Sequence, residues 1–186
     1  HLAEHLADDD LDVLVVDFHA LDAVDGLHLV DQVFLEFQAL RAAQHAAALF
    51  AAVERRNRLL AARHDGLAGR YRLLLITKGD LFDQERKVAQ SGLGELFEAV
   101  EIVSDKNRTA YERIFRRHGD GPERSMMVGN SMRSDVVPAI EAGSWGVFVP
   151  HDLTWDHEHA DAPVDAPRFR QIAHLGELGA VLEELG

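Results

Sequence analysis

The chain has 186 residues, enough for one domain with its own apolar core and no covalent staples. It contains no cysteine, which excludes disulfides, thiolate nucleophiles and cysteine-ligated zinc. With 19 basic and 32 acidic residues the net charge is −13, a surface that repels polyanions and argues against nucleic-acid binding.

No apolar run approaches the roughly 20 residues needed to span a bilayer, so no membrane partner is expected. The N-terminus lacks a basic segment followed by an apolar one, the order of a secretory signal. Together with the absence of cysteine this predicts a cytoplasmic location. The first residue is His1 rather than Met, which leaves a fragment, a processed product or a displaced reading start as expectations. The sequence carries no signal for oligomeric state.

After an acidic start at Asp8, Asp9 and Asp10, Val13 to Val16 is a short β-branched run that ends at Asp17. This is the pattern of a strand buried on both faces of a parallel sheet. From Leu29 to Arg63 there is no Gly or Pro. Within that stretch Val30, Val33, Phe34, Phe37 and Leu40 recur at helical spacing, and its length predicts a break between Ala46 and Ala52. Gly66 and Gly69 then punctuate the chain.

An alternation of elements follows. Tyr71 to Thr77 predicts a strand, Gly79 and Asp80 a turn, and Leu81 to Gln90 a helix capped by Asp80. Phe97 to Val103 reads as a second strand, and Lys106 to His118 as a second helix stopped by Gly119. Ser125 to Val128 is a third strand opening into Gly129, Asn130 and Ser131. A third helix starts at Ser134 or Asp135 and ends at Gly143, and a further strand runs from Trp145 to Val149, stopped by Pro150. His151 to Pro167 reads as a loop and Ile172 to Leu185 as a closing helix. Such an alternation predicts an α/β fold, a Rossmann-like, mostly parallel sheet flanked by helices and built from right-handed β-α-β units.

Ligands of such sheets bind at the carboxyl ends of the strands. Polar residues fall there: Asp17, Thr77, Ser104 to Lys106, and Gly129 to Asp135. Thr77 has two readings, a residue that ends a strand and caps a helix, or a hydroxyl that donates to a phosphoryl oxygen. Lys106 is either a solvated lysine beside Asp105 or an ammonium that neutralises a carboxylate and an incoming phosphate. The segment from Gly129 to Asp135 offers an amide oxygen at Asn130 and a carboxylate five residues later, oxygen donors suited to Mg²⁺. Capping alone accounts poorly for that order of residues.

Three segments resemble motifs of the haloacid dehalogenase superfamily of hydrolases. Ile76 to Asp80 resembles its second motif, Lys106 its third, and Gly129 to Asp135 its fourth. Lys106 follows Thr77 by 29 positions and precedes Asp135 by 29. Leu74 to Gln84, Met127 to Ser131 and Val149 to Trp155 are similar to one bacterial branch of that superfamily, and the likeness extends from about Arg70 to Glu158. The resemblance implies a Mg²⁺-dependent phosphohydrolase that acts on a small phosphorylated metabolite through an aspartyl-phosphate. It implies catalytic roles for Asp17, His19, Thr77 and Lys106. Phosphate binding falls to Thr77, Lys78, Lys106 and Asn130, and metal ligation to Asp17, Asn130 and Asp135.

The first motif of that superfamily, Asp-x-Asp-x-Thr after an apolar strand, is missing or degenerate. Asp17 takes the nucleophile's place, His19 stands where the acid/base Asp belongs, and Leu21 where Thr belongs. A histidine is able to do acid–base work near neutral pH. The alternative is a truncated or frameshifted N-terminus, leaving a catalytically impaired remnant that folds and binds metal or phosphate without turnover. Asn130 also replaces an Asp common in the fourth motif, which lowers the charge offered to a metal.

This divides the chain into residues 1–28, a degenerate or unrelated N-terminal segment with a candidate first strand; 29–68, a helical segment resembling a reduced or truncated cap; and 69–186, the α/β core. Two other functions fit less well. A phospho-acceptor signalling domain would place its metal-site acids before Thr and Lys, whereas Asp135 follows both. Dehalogenation would not need Asp135 at the end of a Gly-Asn-Ser loop. His151, His157 and His159 with their acidic neighbours read as a polar loop rather than a transition-metal site.

Overall fold

The computed structural model describes residues 11–17, 66–67, 69–150 and 160–185. His19, the expected helical segment with its cap, and His151 to His159 lie outside the described residues.

Six short strands form one sheet: β1 (Val13–Asp17), β2 (Arg72–Lys78), β3 (Ala99–Val103), β4 (Ser125–Gly129), β5 (Trp145–Phe148) and β6 (Phe169–Gln171). Their spatial order is β3-β2-β1-β4-β5-β6, and every adjacent pair is parallel. The chain builds outward from β1 on one side, then returns to build outward on the other. β1 is therefore flanked by β2 and β4 at the point where strand order reverses, the position at which such sheets hold their ligands.

Successive residues of a strand face opposite sides, and the two apolar cores follow that alternation. Leu14 and Val16 of β1, with Leu73, Leu75, Met126 and Val128, pack on one face. That face is covered by Val88 of helix α1 (Leu81–Ser91) and by Leu178, Val181 and Leu182 of helix α4 (Leu178–Leu185). Val13 and Val15, with Leu74, Ile76 and Met127, pack on the other. Tyr111, Ile114 and Phe115 of helix α2 (Arg108–His118) and Ala139 and Ala142 of helix α3 (Val137–Ala142) cover it. A strand apolar on both faces is the consequence of helices on both sides.

The helix ends are chemically specified. Asp80 caps α1 by accepting from the backbone N–H of Phe82 and Asp83, and Gly92 closes it in the left-handed region at φ 67°. Asn107 caps α2 through a bond from Ala110 N, so this helix starts two residues later than its apolar spacing suggests. Lys106 consequently stands before the helix, at the strand-end face of the sheet. Arg116 and Arg117 occupy the last turn of α2, where positive charge complements the helix dipole.

Two further boundaries differ from expectation. β6 falls between the expected loop and the closing helix, in residues the sequence assigns to no element, because three residues with Arg170 and Gln171 among them give no apolar run. The closing helix begins at Leu178 rather than Ile172, because His174 caps a tight turn over Leu175–Glu177, where its Nδ1 accepts from Gly176 N at 3.1 Å.

Candidate functional site

Asp17 is the last residue of β1 and is 1% exposed. In register it lies opposite Ile76 of β2, and Val16 lies opposite Val128 of β4, so Thr77, next to last in β2, and Gly129, last in β4, lie at the same edge. Lys106, from the connection between β3 and α2, reaches into that edge and is itself buried. Its Nζ donates to Asp17 Oδ1 and, at 2.8 Å, to Asp135 Oδ1. Residues separated by 89 and 29 positions thus meet at one ammonium group.

The loop after β4 is built to present Asp135. Asp135 N and Val136 N both donate to Ser131 O, at 3.0 and 3.2 Å, which opens a wide π-type turn over Met132–Val136. Turns of this kind recur at functional sites because they re-aim a side chain within a helix start. Ser131 Oγ accepts from Ser134 N at 3.0 Å, and Ser131 N donates to Asp135 Oδ2 at 2.9 Å. From α2 the buried Tyr111 hydroxyl donates to Ser134 O at 3.1 Å and ties the turn to the helix. A Cβ on Gly129 would stand 2.4 Å from Asp135 Oδ2, so the carboxylate uses space that only glycine leaves open.

Burial acts first on each charge here, and neighbours then decide the outcome. For Lys106, burial favours the neutral amine, but Asp135 and Asp17 together overcome it and raise the pKa above the ordinary lysine value. For Asp135, burial favours the protonated acid; Lys106 opposes this, Asp17 reinforces it, and the net result is a pKa pushed up to about 6. Two buried carboxylates meet one ammonium here, and charge held out of water is costly unless opposite charge matches it.

The donor set suits a hard ion. Asp17 and Asp135 supply carboxylate oxygens, and Asn130, half-buried just after Gly129, supplies an amide oxygen. Among the described residues no three His, Cys, Asp or Glu side chains converge, so a metal here would take two carboxylates and complete its shell with waters, as Mg²⁺ commonly does.

Thr77 is fully buried one residue before the end of β2, and its hydroxyl donates to Gln84 Oε1 at 2.7 Å. Lys78 is exposed beside it. The structure therefore brings Asp17, Lys106 and Asp135 into direct contact, sets Thr77 and Asn130 at the same edge, and leaves His19 outside the described residues.

Sequence reasoning missed Gln84, Ser131 and Tyr111. Gln84 left a signal: it lies four residues before Val88 on the buried face of α1, where the period calls for an apolar residue. Tyr111 lies with Ile114 and Phe115 on the buried stripe of α2, and nothing in that stripe marks its hydroxyl as part of a site. Ser131 lies in the polar loop after β4, where nothing in the sequence separates its role from that of its neighbours.

Comparisons with known proteins agree with this architecture. A family model described as HAD-hydrolase-like matches residues 103–178. The glyceraldehyde 3-phosphate phosphatase of Methanothermobacter thermautotrophicus is 36% identical over 116 residues, covering 58% of this chain and 51% of the phosphatase. The chain thus spans about half the length of that curated relative. Among solved structures, a haloacid dehalogenase-like family hydrolase from Xanthomonas campestris superposes with a TM-score of 0.63 at 26% identity, over 95% of this chain and 96% of the other. A HAD hydrolase from Bacillus subtilis bound to magnesium superposes with a TM-score of 0.57 at 15% identity, over 92% and 98% of the two chains, a likeness of fold alone.

Proposed function

We propose that this chain, similar over residues 103–178 to a HAD-hydrolase-like family and in fold to a haloacid dehalogenase-like hydrolase, is a Mg²⁺-dependent phosphohydrolase acting on a small phosphorylated metabolite. The observation that carries this proposal is Lys106, held between the two buried carboxylates Asp17 and Asp135 at the carboxyl edge of the sheet. One carboxylate oxygen of Asp17 attacks phosphorus, the ester oxygen leaves, and an aspartyl-phosphate forms; water then cleaves the acyl phosphate and regenerates Asp17. Lys106 offsets the repulsion between the carboxylate and the anionic substrate. Thr77, Lys78 and Asn130 bind the phosphoryl oxygens alongside it, and His19 moves the proton between leaving group and water. Asp17, Asn130 and Asp135 would hold Mg²⁺, which when bound supplies positive charge against the developing anion.

A second function is favoured by one feature, His19 in place of the acid/base Asp: a domain that binds metal or phosphate without turnover. Hydrolysis of a generic phosphate ester with and without Mg²⁺ separates the two, comparing wild type with Asp17→Asn and Asp135→Asn. Mg²⁺-dependent release of phosphate that both substitutions abolish supports the enzyme. No release from wild type sinks it, and full release from Asp17→Asn removes Asp17 as the nucleophile. A substrate panel should include glyceraldehyde 3-phosphate, the substrate in the name of the related phosphatase.

A further inference from the structure

The hydroxyl of Thr77 has one proton, and Gln84 Oε1 accepts it at 2.7 Å. Held that way, Thr77 offers only lone pairs toward the strand edge, where the proposed phosphate would bring more negative charge. Gln84 can serve the hydroxyl in either direction. Its amide carries an acceptor and a donor of nearly the same shape on one carbon, so a half-turn about the last side-chain bond exchanges them without changing the packing. After that turn Nε2 donates to Thr77 Oγ1, and the hydroxyl proton is released toward the anion.

The surroundings accommodate such an exchange. Gln84 is buried on α1 and lies over the turn at Gly79, where a Cβ would stand 2.8 Å from Gln84 Nε2. Gly79 adopts φ +151°, a backbone conformation that side chains disfavour, so the amide rests against a position kept bare. Thr77 thereby keeps a hydrogen-bond partner in both states, which matters because a buried hydroxyl without one is costly.

We infer that Gln84 is a positioning residue that sets the direction of the Thr77 hydroxyl, accepting its proton when the site is empty and donating to it when a phosphoryl group is bound. The inference rests on the phosphohydrolase reading and deepens it, since it assigns to Gln84 a role in phosphate affinity that acts only through Thr77.

The test is a double-mutant cycle read by calorimetric binding of inorganic phosphate at saturating Mg²⁺, with KM and kcat for a generic phosphate ester alongside. Gln84→Met retains side-chain length but neither donates nor accepts strongly. It is expected to weaken phosphate binding a fewfold in the Thr77 background and to change nothing in Thr77→Val. Gln84→Glu, which only accepts when ionised, holds the proton and is expected to weaken binding by about tenfold or more, the worth of one hydrogen bond to a charged group. Both effects fall on KM more than on kcat. If Thr77→Val does not fold, Thr77→Ser serves as the second arm, since it retains the hydroxyl and is expected to keep the full dependence on Gln84. Equal losses from Gln84→Met with and without the Thr77 hydroxyl, or no loss with it, overturn the inference while leaving the hydrolase intact. A wild type that neither binds phosphate nor turns over ester overturns both together.

Discussion

Gly129 and Asp135 occupy one another's space: the position of a side chain on Gly129 is filled by the carboxylate of Asp135, with Oδ2 2.4 Å from where a Cβ would be. The end of β4 and the start of the next helix are therefore locked together. Asp135 is also held by Ser131 N and by Lys106 Nζ, so it has little room to retreat.

Gly129→Ala should accordingly act as an overpacking substitution inside the site. Forcing an extra methyl into a close-packed interior costs about 1–3 kcal/mol, and at about 2–4 °C per kcal/mol for a domain of this size the melting temperature should fall by several degrees. The loss in phosphate release should exceed what lost stability accounts for, because the atom displaced is a proposed metal ligand. Thermal unfolding and ester hydrolysis on the same preparation decide this; unchanged hydrolysis would mean that Asp135 does no chemistry.

Lys106 bonds both Asp17 and Asp135, so its removal takes from these two buried carboxylates the ammonium they share. Breaking a buried pair by deleting one partner costs about 3–5 kcal/mol. Lys106→Met should therefore be strongly destabilising, and adding Asp135→Asn should recover part of the loss by removing one of the stranded charges. Denaturant unfolding of the two single variants and the double variant measures that coupling. Additive losses would show that the three side chains do not act as a unit in solution.

Tyr111 gives a finer probe. Tyr111→Phe removes only the hydroxyl that donates to Ser134 O, while the ring keeps its stack against Phe115 at 5.7 Å between centroids. The stranded carbonyl should cost about 1–3 kcal/mol, and the wide turn that aims Asp135 should loosen. Mg²⁺ affinity, measured by calorimetry, is expected to fall while the far-ultraviolet spectrum stays that of the wild type. Wild-type affinity in this variant would limit Tyr111 to packing.

The pattern of sequence legibility follows from these contacts. Asp17, Lys106 and Asp135 were readable because the first ends an apolar strand and the other two lie in the polar segments that follow two more, and a parallel sheet gathers such segments at one edge. Their mutual contact was not readable, since it depends on strand order, and nothing local says that β1 lies between β2 and β4. The direction of the Thr77 hydroxyl was hidden for a similar reason: its partner Gln84 lies seven residues on, in the next helix. The position of Lys106 before α2 turned on a single cap, Asn107, which overrides the apolar spacing that follows it. β6 was invisible because three partly exposed residues carry no period to detect.

Asp135 finally predicts how acidity acts on the metal-free protein. Burial above all raises its folded pKa to about 6 from an ordinary 3.8, despite the opposing pull of Lys106. The protonated acid is thus favoured by folding, so the folded state binds more protons than the unfolded one between those two values. The contribution of Asp135 to stability is fully present below about 3.8 and is lost as pH rises through about 6. Other carboxylates titrate in the same range, so the quantity to measure is the stability of wild type minus that of Asp135→Asn, in chelator, from pH 4 to 7. That difference should fall as pH rises. Saturating Mg²⁺ should reverse its slope, because a cation binds the carboxylate and not the acid. A difference that is flat in chelator would show that Lys106 neutralises Asp135 in full, and one that rises would show that the ammonium outweighs burial.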